Sequence, residues 1–129
     1  MPKQYLPLAG QPLIRHALAA LCAVPLIEAV FVVLSADDAA WGSHDWRAFG
    51  DRLVVLRCGG ASRSETVVNG LEAMGGRVGA NDWILVHDAA RPCVTPAQVG
   101  GLIAAVGDDP VGGLLAKPLA DTLKRADAA

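Results

Sequence analysis

Asp88 and Arg91 close the stretch Ile84-Leu85-Val86-His87-Asp88-Ala89-Ala90-Arg91-Pro92. An acid and a base three residues apart in one turn can hold a metal ion or a ribose with the first and a phosphate with the second. Two alanines between them let a ligand come close to the backbone. The same spacing also describes a solvated turn with a local ion pair, and residue types alone leave both readings open. A second stretch, Gly59-Gly60-Ala61-Ser62-Arg63-Ser64-Glu65-Thr66, puts two glycines ahead of a helix start. Glycines there allow positive φ and close contact, and a helix start offers free N–H groups to phosphate. Ser62 and Glu65 have the spacing of a capping box, so a plain turn and cap fits as well. Asp37 and Asp38 can be ligands but suit the N-cap of a short helix better. Cys93 stands beside Arg91, yet no histidine partner for a cysteine nucleophile is identifiable, and His16 reads as an ordinary helix residue.

The elements that must carry these residues alternate between the two types. An amphipathic helix is predicted from Pro12, with Leu13, Ala17, Leu21 and Val24 at helical spacing, ending at Pro25. Ala29–Leu34 reads as a central strand and Leu53–Leu56 as the next. Gly60 then leads into a helix running through Met74. Ile84–Val86 is expected to be a strand buried on both faces, with Asp88 at its carboxyl end. Thr95 and Pro96 start a further helix as N-cap and first-turn proline, ending near Gly107, and Gly113–Ala116 reads as another strand. Trp41, Trp46 and Phe49 are expected to pin a surface loop to the body. This alternation predicts an α/β fold, a mostly parallel sheet with helices on both faces. Ligands of such sheets sit at the carboxyl ends of the strands.

Composition narrows the function. The chain has 129 residues, 53% of them hydrophobic and 19% charged, with a formal net charge of −2, which suits one compact domain spanning 1–129. There is no basic field to recruit nucleic acid. No apolar run reaches the length of a membrane span, and Met1 onward lacks a signal-peptide pattern. Three cysteines, Cys22, Cys58 and Cys93, fit neither a zinc site nor a disulfide framework, so reduced thiols in the cytoplasm are expected.

Four stretches in order, Pro2-Lys3-Gln4-Tyr5-Leu6, Gly59-Gly60-x-x-Arg63-x-x-Thr66-Val67-x-x-Gly70-Leu71, Val86-His87-Asp88-Ala89-Ala90-Arg91-Pro92 and Pro118-x-x-Asp121-Thr122-x-Lys124, resemble the 2-C-methyl-D-erythritol 4-phosphate cytidylyltransferase family of the non-mevalonate isoprenoid pathway. The resemblance covers essentially the whole chain. It implies a Rossmann-like nucleotidyltransferase fold, a homodimer, Mg²⁺, and transfer of CMP from CTP to 2-C-methyl-D-erythritol 4-phosphate with release of pyrophosphate. By motif position it implies that Lys3 stabilises charge on the α-phosphate and that Gly60 and Thr66 contact the cytidine. Thr66 stands where the family usually has Ser. Asp88 is implied to hold ribose, metal or substrate. Arg91 and Thr122 are implied to bind methylerythritol phosphate, in the neighbouring subunit's site. Arg63 is expected to brace its loop, and Asp121 and Lys124 to support the acceptor region.

Against the family pattern, the strand and Gly-rich loop that precede Pro-Lys-Gln-Tyr and the region after Asp-Thr-x-Lys have no counterpart here. The chain is therefore expected to be a partial nucleotidyltransferase domain, inactive by itself. Two other functions stay open: a related sugar-nucleotide transferase with another acceptor, and a non-catalytic nucleotide-binding or dimerisation module.

Overall fold

The structure is a computed structural model and describes residues 2–118. The expectations placed on Asp121, Thr122 and Lys124 lie outside the described residues. A 3-10 turn, Lys3–Tyr5, leads into a small antiparallel hairpin of β1 (Pro7–Leu8) and β2 (Gln11–Pro12). Its two loop residues both have positive φ, Ala9 at 49° and Gly10 at 79°, as a tight primed turn requires. Helix α1 (Leu13–Cys22) follows, with Pro12 in the N-cap position rather than inside the first turn. Pro25 lies beyond its end, since the C-cap is already Ala23.

The two central strands are β3 (Val30–Val33) and β4 (Leu53–Leu56), paired in parallel with Val30 opposite Leu53 and Val33 opposite Leu56. Side chains alternate across a strand. Val30 and Val32 therefore share one face, where they join Ile14 and Leu18 of α1 in the core. Val33 points to the opposite face and meets Gly70 of helix α2 (Arg63–Ala73) so closely that a Cβ built on Gly70 would stand 2.8 Å from Val33 Cγ2. Helices thus cover both faces of the parallel pair, as the alternation of elements predicts. Helix α3 (Pro96–Val106) completes the described elements and carries the expected Thr95 cap as a full capping box with Gln98.

The aromatic loop after β3 is pinned as expected. Trp41 is buried and stacks on Trp46 at 4.1 Å between ring centroids, and Trp46 Nε1 donates to the Trp41 carbonyl at 2.9 Å. Arg52 extends the same anchoring by donating to the carbonyls of Cys22, Val24 and Ile27.

Two predicted strands are corrected. Ile84–Val86 and Gly113–Ala116 form no β-ladder among the described residues. A ladder needs a neighbouring backbone about 4.8 Å away. Between β3 and residues 84–89 there is instead an open cleft lined from both sides. Ile84, Leu85 and Val86 are consequently 38–54% exposed rather than buried on both faces. A strand's apolar composition reports its preferred surroundings, whereas pairing depends on a partner edge.

Candidate nucleotide site at the strand exits

The residues singled out by type gather at the carboxyl ends of β3 and β4, where an open α/β sheet binds ligands. Just past β4, the Gly59 N–H donates to the Leu34 carbonyl at 2.8 Å, fastening the loop to the exit of β3. Neither Gly59 nor Gly60 has positive φ, so the freedom expected of them is not what the loop uses. Close approach is the reason for glycine here. A Cβ on Gly59 would stand 3.0 Å from the Leu34 and Ser35 backbone, and one on Gly60 would stand 2.4 Å from Glu65 Cγ.

The Gly60 N–H donates to Thr66 Oγ1 at 3.0 Å, and the Thr66 hydroxyl lies 3.4 Å from the Gly60 carbonyl. Thr66 therefore fixes the glycine turn onto the first turn of α2. Ser62 caps that helix by accepting from the Glu65 N–H at 3.1 Å. The reciprocal half of the box is shifted by one residue: Glu65 Oε2 accepts from the Ala61 N–H at 2.9 Å. Asn69 adds a tether by donating to the Cys58 carbonyl at 2.8 Å.

Arg63, at the first position of α2, reaches across to the second motif. Its Nε donates to Asp88 Oδ1 at 2.8 Å, while Arg91 pairs its charge with the same carboxylate, Nε lying 2.9 Å from Asp88 Oδ2. One carboxylate is thus shared by two guanidinium groups, whose side chains are 67% and 77% exposed. The Arg63 hydrogen bond, with the positive charges of Arg63 and Arg91 behind it, holds the Asp88 carboxyl below its ordinary value against an opposing push from partial burial. Because each arginine uses Nε on Asp88, its outer N–H groups remain in this contact's geometry free to meet an anion. Two cations to one anion leave this group of three with one net positive charge. His87 also closes the turn by contacting the Arg91 carbonyl through Nε2 at 2.9 Å.

Arg63, Thr66, Asp88 and Ala89 line one side of the cleft beside β3, a space of about 290 Å³. Gly60 joins it through Thr66. Lys3 is exposed and sits on the separate 3-10 turn, outside the lining of this cleft.

Asp88 as a holder of metal is a proposal. Among the described residues no three His, Cys, Asp or Glu side chains cluster to hold a metal ion, and both Asp88 oxygens are already paired with arginines. The three thiols behave as their surroundings suggest: Cys22 and Cys58 are half-buried and Cys93 is exposed, and burial pushes the Cys22 thiol up.

Sequence reasoning had Arg63 brace its loop but named no partner for it, because a partner 25 positions away is invisible to local pattern. It read Asp38 as a ligand or an N-cap and missed its tie to Tyr5: the Asp38 side chain accepts both the Tyr5 hydroxyl at 2.8 Å and the Trp41 N–H at 3.0 Å. The available signal was the tyrosine of the Pro2–Leu6 motif, since a buried tyrosine hydroxyl requires a polar partner.

Helices on both faces of a parallel pair, with a glycine turn and an arginine-flanked carboxylate at the strand exits, define an α/β nucleotidyltransferase fold. A solved structure agrees: the chain superposes on the crystal structure of 4-diphosphocytidyl-2C-methyl-D-erythritol synthase with a TM-score of 0.89 and 35% identity, covering 98% of this chain and 60% of that one. The family model of 2-C-methyl-D-erythritol 4-phosphate cytidylyltransferase matches residues 1–129. The chain belongs to that family. Relatives bearing this name include a protein of Azoarcus sp. (strain BH72), 60% identical over 98% of this chain and 53% of its own. Another, from Dechloromonas aromatica (strain RCB), is 58% identical over 98% of this chain and 56% of its own. The chain spans about half the length of the curated relatives it matches.

Proposed function

We propose that the complete protein transfers CMP from CTP to 2-C-methyl-D-erythritol 4-phosphate and releases pyrophosphate. Family membership supports the reaction. The observation in the structure that carries it is the Arg63–Asp88–Arg91 group, two cations around one anion, next to the Gly60–Thr66 turn. That combination suits a nucleotide whose phosphates need neutralising and whose base and sugar need close backbone contact.

A phosphate oxygen of the acceptor attacks the α-phosphorus of CTP. The bond to the bridging oxygen of pyrophosphate breaks, and its electron pair leaves with pyrophosphate. No covalent enzyme intermediate is required, so rate comes from alignment and charge stabilisation. In this reading Lys3, a compact mobile cation, meets the charge that grows on the α-phosphate. The Gly60 backbone and the Thr66 hydroxyl contact the cytidine. Asp88 orients the two arginines and meets ribose or acceptor. Arg91, together with Thr122, takes the acceptor phosphate in the neighbouring subunit of a homodimer. Magnesium, expected from the resemblance, would be held between the Asp88 carboxylate and the substrate phosphates, since this ion commonly takes only one or two protein carboxylates. The proposed setting is the cytoplasm, and among the described residues no helix is long and apolar enough to cross a membrane.

The test is pyrophosphate release by the complete protein supplied with CTP and methylerythritol phosphate. Release that depends on both substrates is expected, with a fall of roughly 100-fold in kcat for Lys3→Ala. No release from the unaltered protein would sink the proposed reaction. Full activity in Lys3→Ala would remove Lys3 from it.

A further inference from the structure

Lys3 stands on a three-residue 3-10 turn, Lys3–Tyr5. The backbone bonds of this turn, Tyr5 N–H to the Pro2 carbonyl and Leu6 N–H to the Lys3 carbonyl, both 3.1 Å, close it on itself. They give it a shape but do not locate it against the sheet. Among the described residues the Lys3 side chain makes no hydrogen bond of its own. The placement of the turn comes from Tyr5.

Tyr5 is 4% exposed, packed in the core with Ile14, Leu18 and Val32, and its ring stacks on His44 at 5.7 Å. Apolar contact would hold a phenylalanine there equally well, since such burial is non-directional. The hydroxyl adds direction. It donates to Asp38 Oδ2 at 2.8 Å, five residues beyond the end of β3. Burial, then the Asp38 carboxylate, pushes that hydroxyl well above its ordinary value, so it stays a donor at any working pH.

Asp38 is itself held from two other sides. Its Oδ1 accepts from the Trp41 N–H at 3.0 Å, and its carbonyl accepts from Arg57 Nη1 at 2.9 Å. Arg57 directly follows β4 and precedes the Gly59–Gly60 turn. Polar contacts therefore run from Arg57, two residues before the glycine turn, through Asp38 to Tyr5, two residues from Lys3.

We infer that Tyr5 and Asp38 are positioning residues that hold the Lys3 turn in register with the glycine turn at the strand exits. The inference rests on the proposed role of Lys3. A charge-assisted hydrogen bond fixes the depth and tilt of the ring, and the ring carries the turn with it. Misplacing a reacting group by about 1 Å costs on the order of 100-fold in rate, so loss of the hydroxyl registers in kcat rather than in nucleotide affinity.

The experiment measures pyrophosphate release by the complete protein in Tyr5→Phe, Asp38→Asn, Lys3→Ala and Tyr5→Phe/Lys3→Ala, alongside thermal midpoints. Tyr5→Phe and Asp38→Asn are expected to lower kcat by roughly tenfold or more, with KM for CTP within about twofold. Tyr5→Phe in the Lys3→Ala background is expected to add no further loss, because it acts only through the lysine. Should Tyr5→Phe not fold, Asp38→Asn reads the same contact. Unchanged kcat in these variants, or a loss that adds fully to that of Lys3→Ala, overturns the positioning role while Lys3 stands. Full activity in Lys3→Ala overturns both.

Discussion

Arg63 Nε donates to Asp88 Oδ1 at 2.8 Å and so joins two motifs 25 residues apart. Arg63 opens the helix after the glycine turn, and Asp88 ends the apolar run Ile84–Val86. The contact brings both motifs to one strand exit and gives each prediction below its geometry.

Asp88→Asn separates stability from activity. Both of its arginine partners are largely exposed, and exposed ion pairs contribute about 0–1 kcal/mol. Denaturant unfolding of the complete protein is expected to move by less than about 1 kcal/mol. Turnover is expected to fall by roughly tenfold or more, because both guanidiniums lose their shared charged anchor. Equal activity of the variant and the parent would end the assignment of Asp88 to the site.

The same carboxylate predicts an acid limb. Its pKa in the folded state is depressed, first by the Arg63 hydrogen bond. A depressed acid stabilises the fold above its unfolded pKa, about 3.9 for Asp, and loses that contribution as pH falls through the folded value. The melting profile of Asp88→Asn is therefore expected to match the parent's shape from roughly pH 6 to 8 and to be flatter below about pH 5. A superimposable acid limb in the two proteins would show that Asp88 is no part of it.

Thr66 tests whether the hydroxyl or the methyl matters. Thr66→Ser keeps the acceptor for the Gly60 N–H and is expected to hold KM for CTP within about twofold. Thr66→Val leaves that donor unpaired in a half-buried turn. At about 1 kcal/mol for the lost bond, KM is expected to rise about fivefold. Identical kinetics for Ser and Val would show that the hydroxyl does not set the turn.

Two glycines predict opposite signs. Gly70 lies so close to Val33 that Gly70→Ala overpacks the contact of α2 with β3, at about 1–3 kcal/mol. Gly101 of α3 has nothing within 4 Å of an added Cβ, so Gly101→Ala is expected to stabilise by roughly 0.5–1 kcal/mol. Urea midpoints that move the same way for both would contradict this reading of the packing.

Local chemistry was legible in the sequence by itself. The Ser62 and Thr95 caps, the limits of α2 and α3 and the paired strands Val30–Val33 and Leu53–Leu56 all follow from residues within a few positions of one another. Side-chain-to-backbone bonds and side-chain periodicity act over that range. The four spaced motifs likewise carried the family. Only the tertiary structure decided that Asp88 is shared by Arg63 and Arg91, that Tyr5 is tied to Asp38, and that Ile84–Val86 borders a cleft instead of joining a ladder. Each of these depends on what lies beside a residue in space, and no local pattern encodes the position of a neighbour tens of residues away.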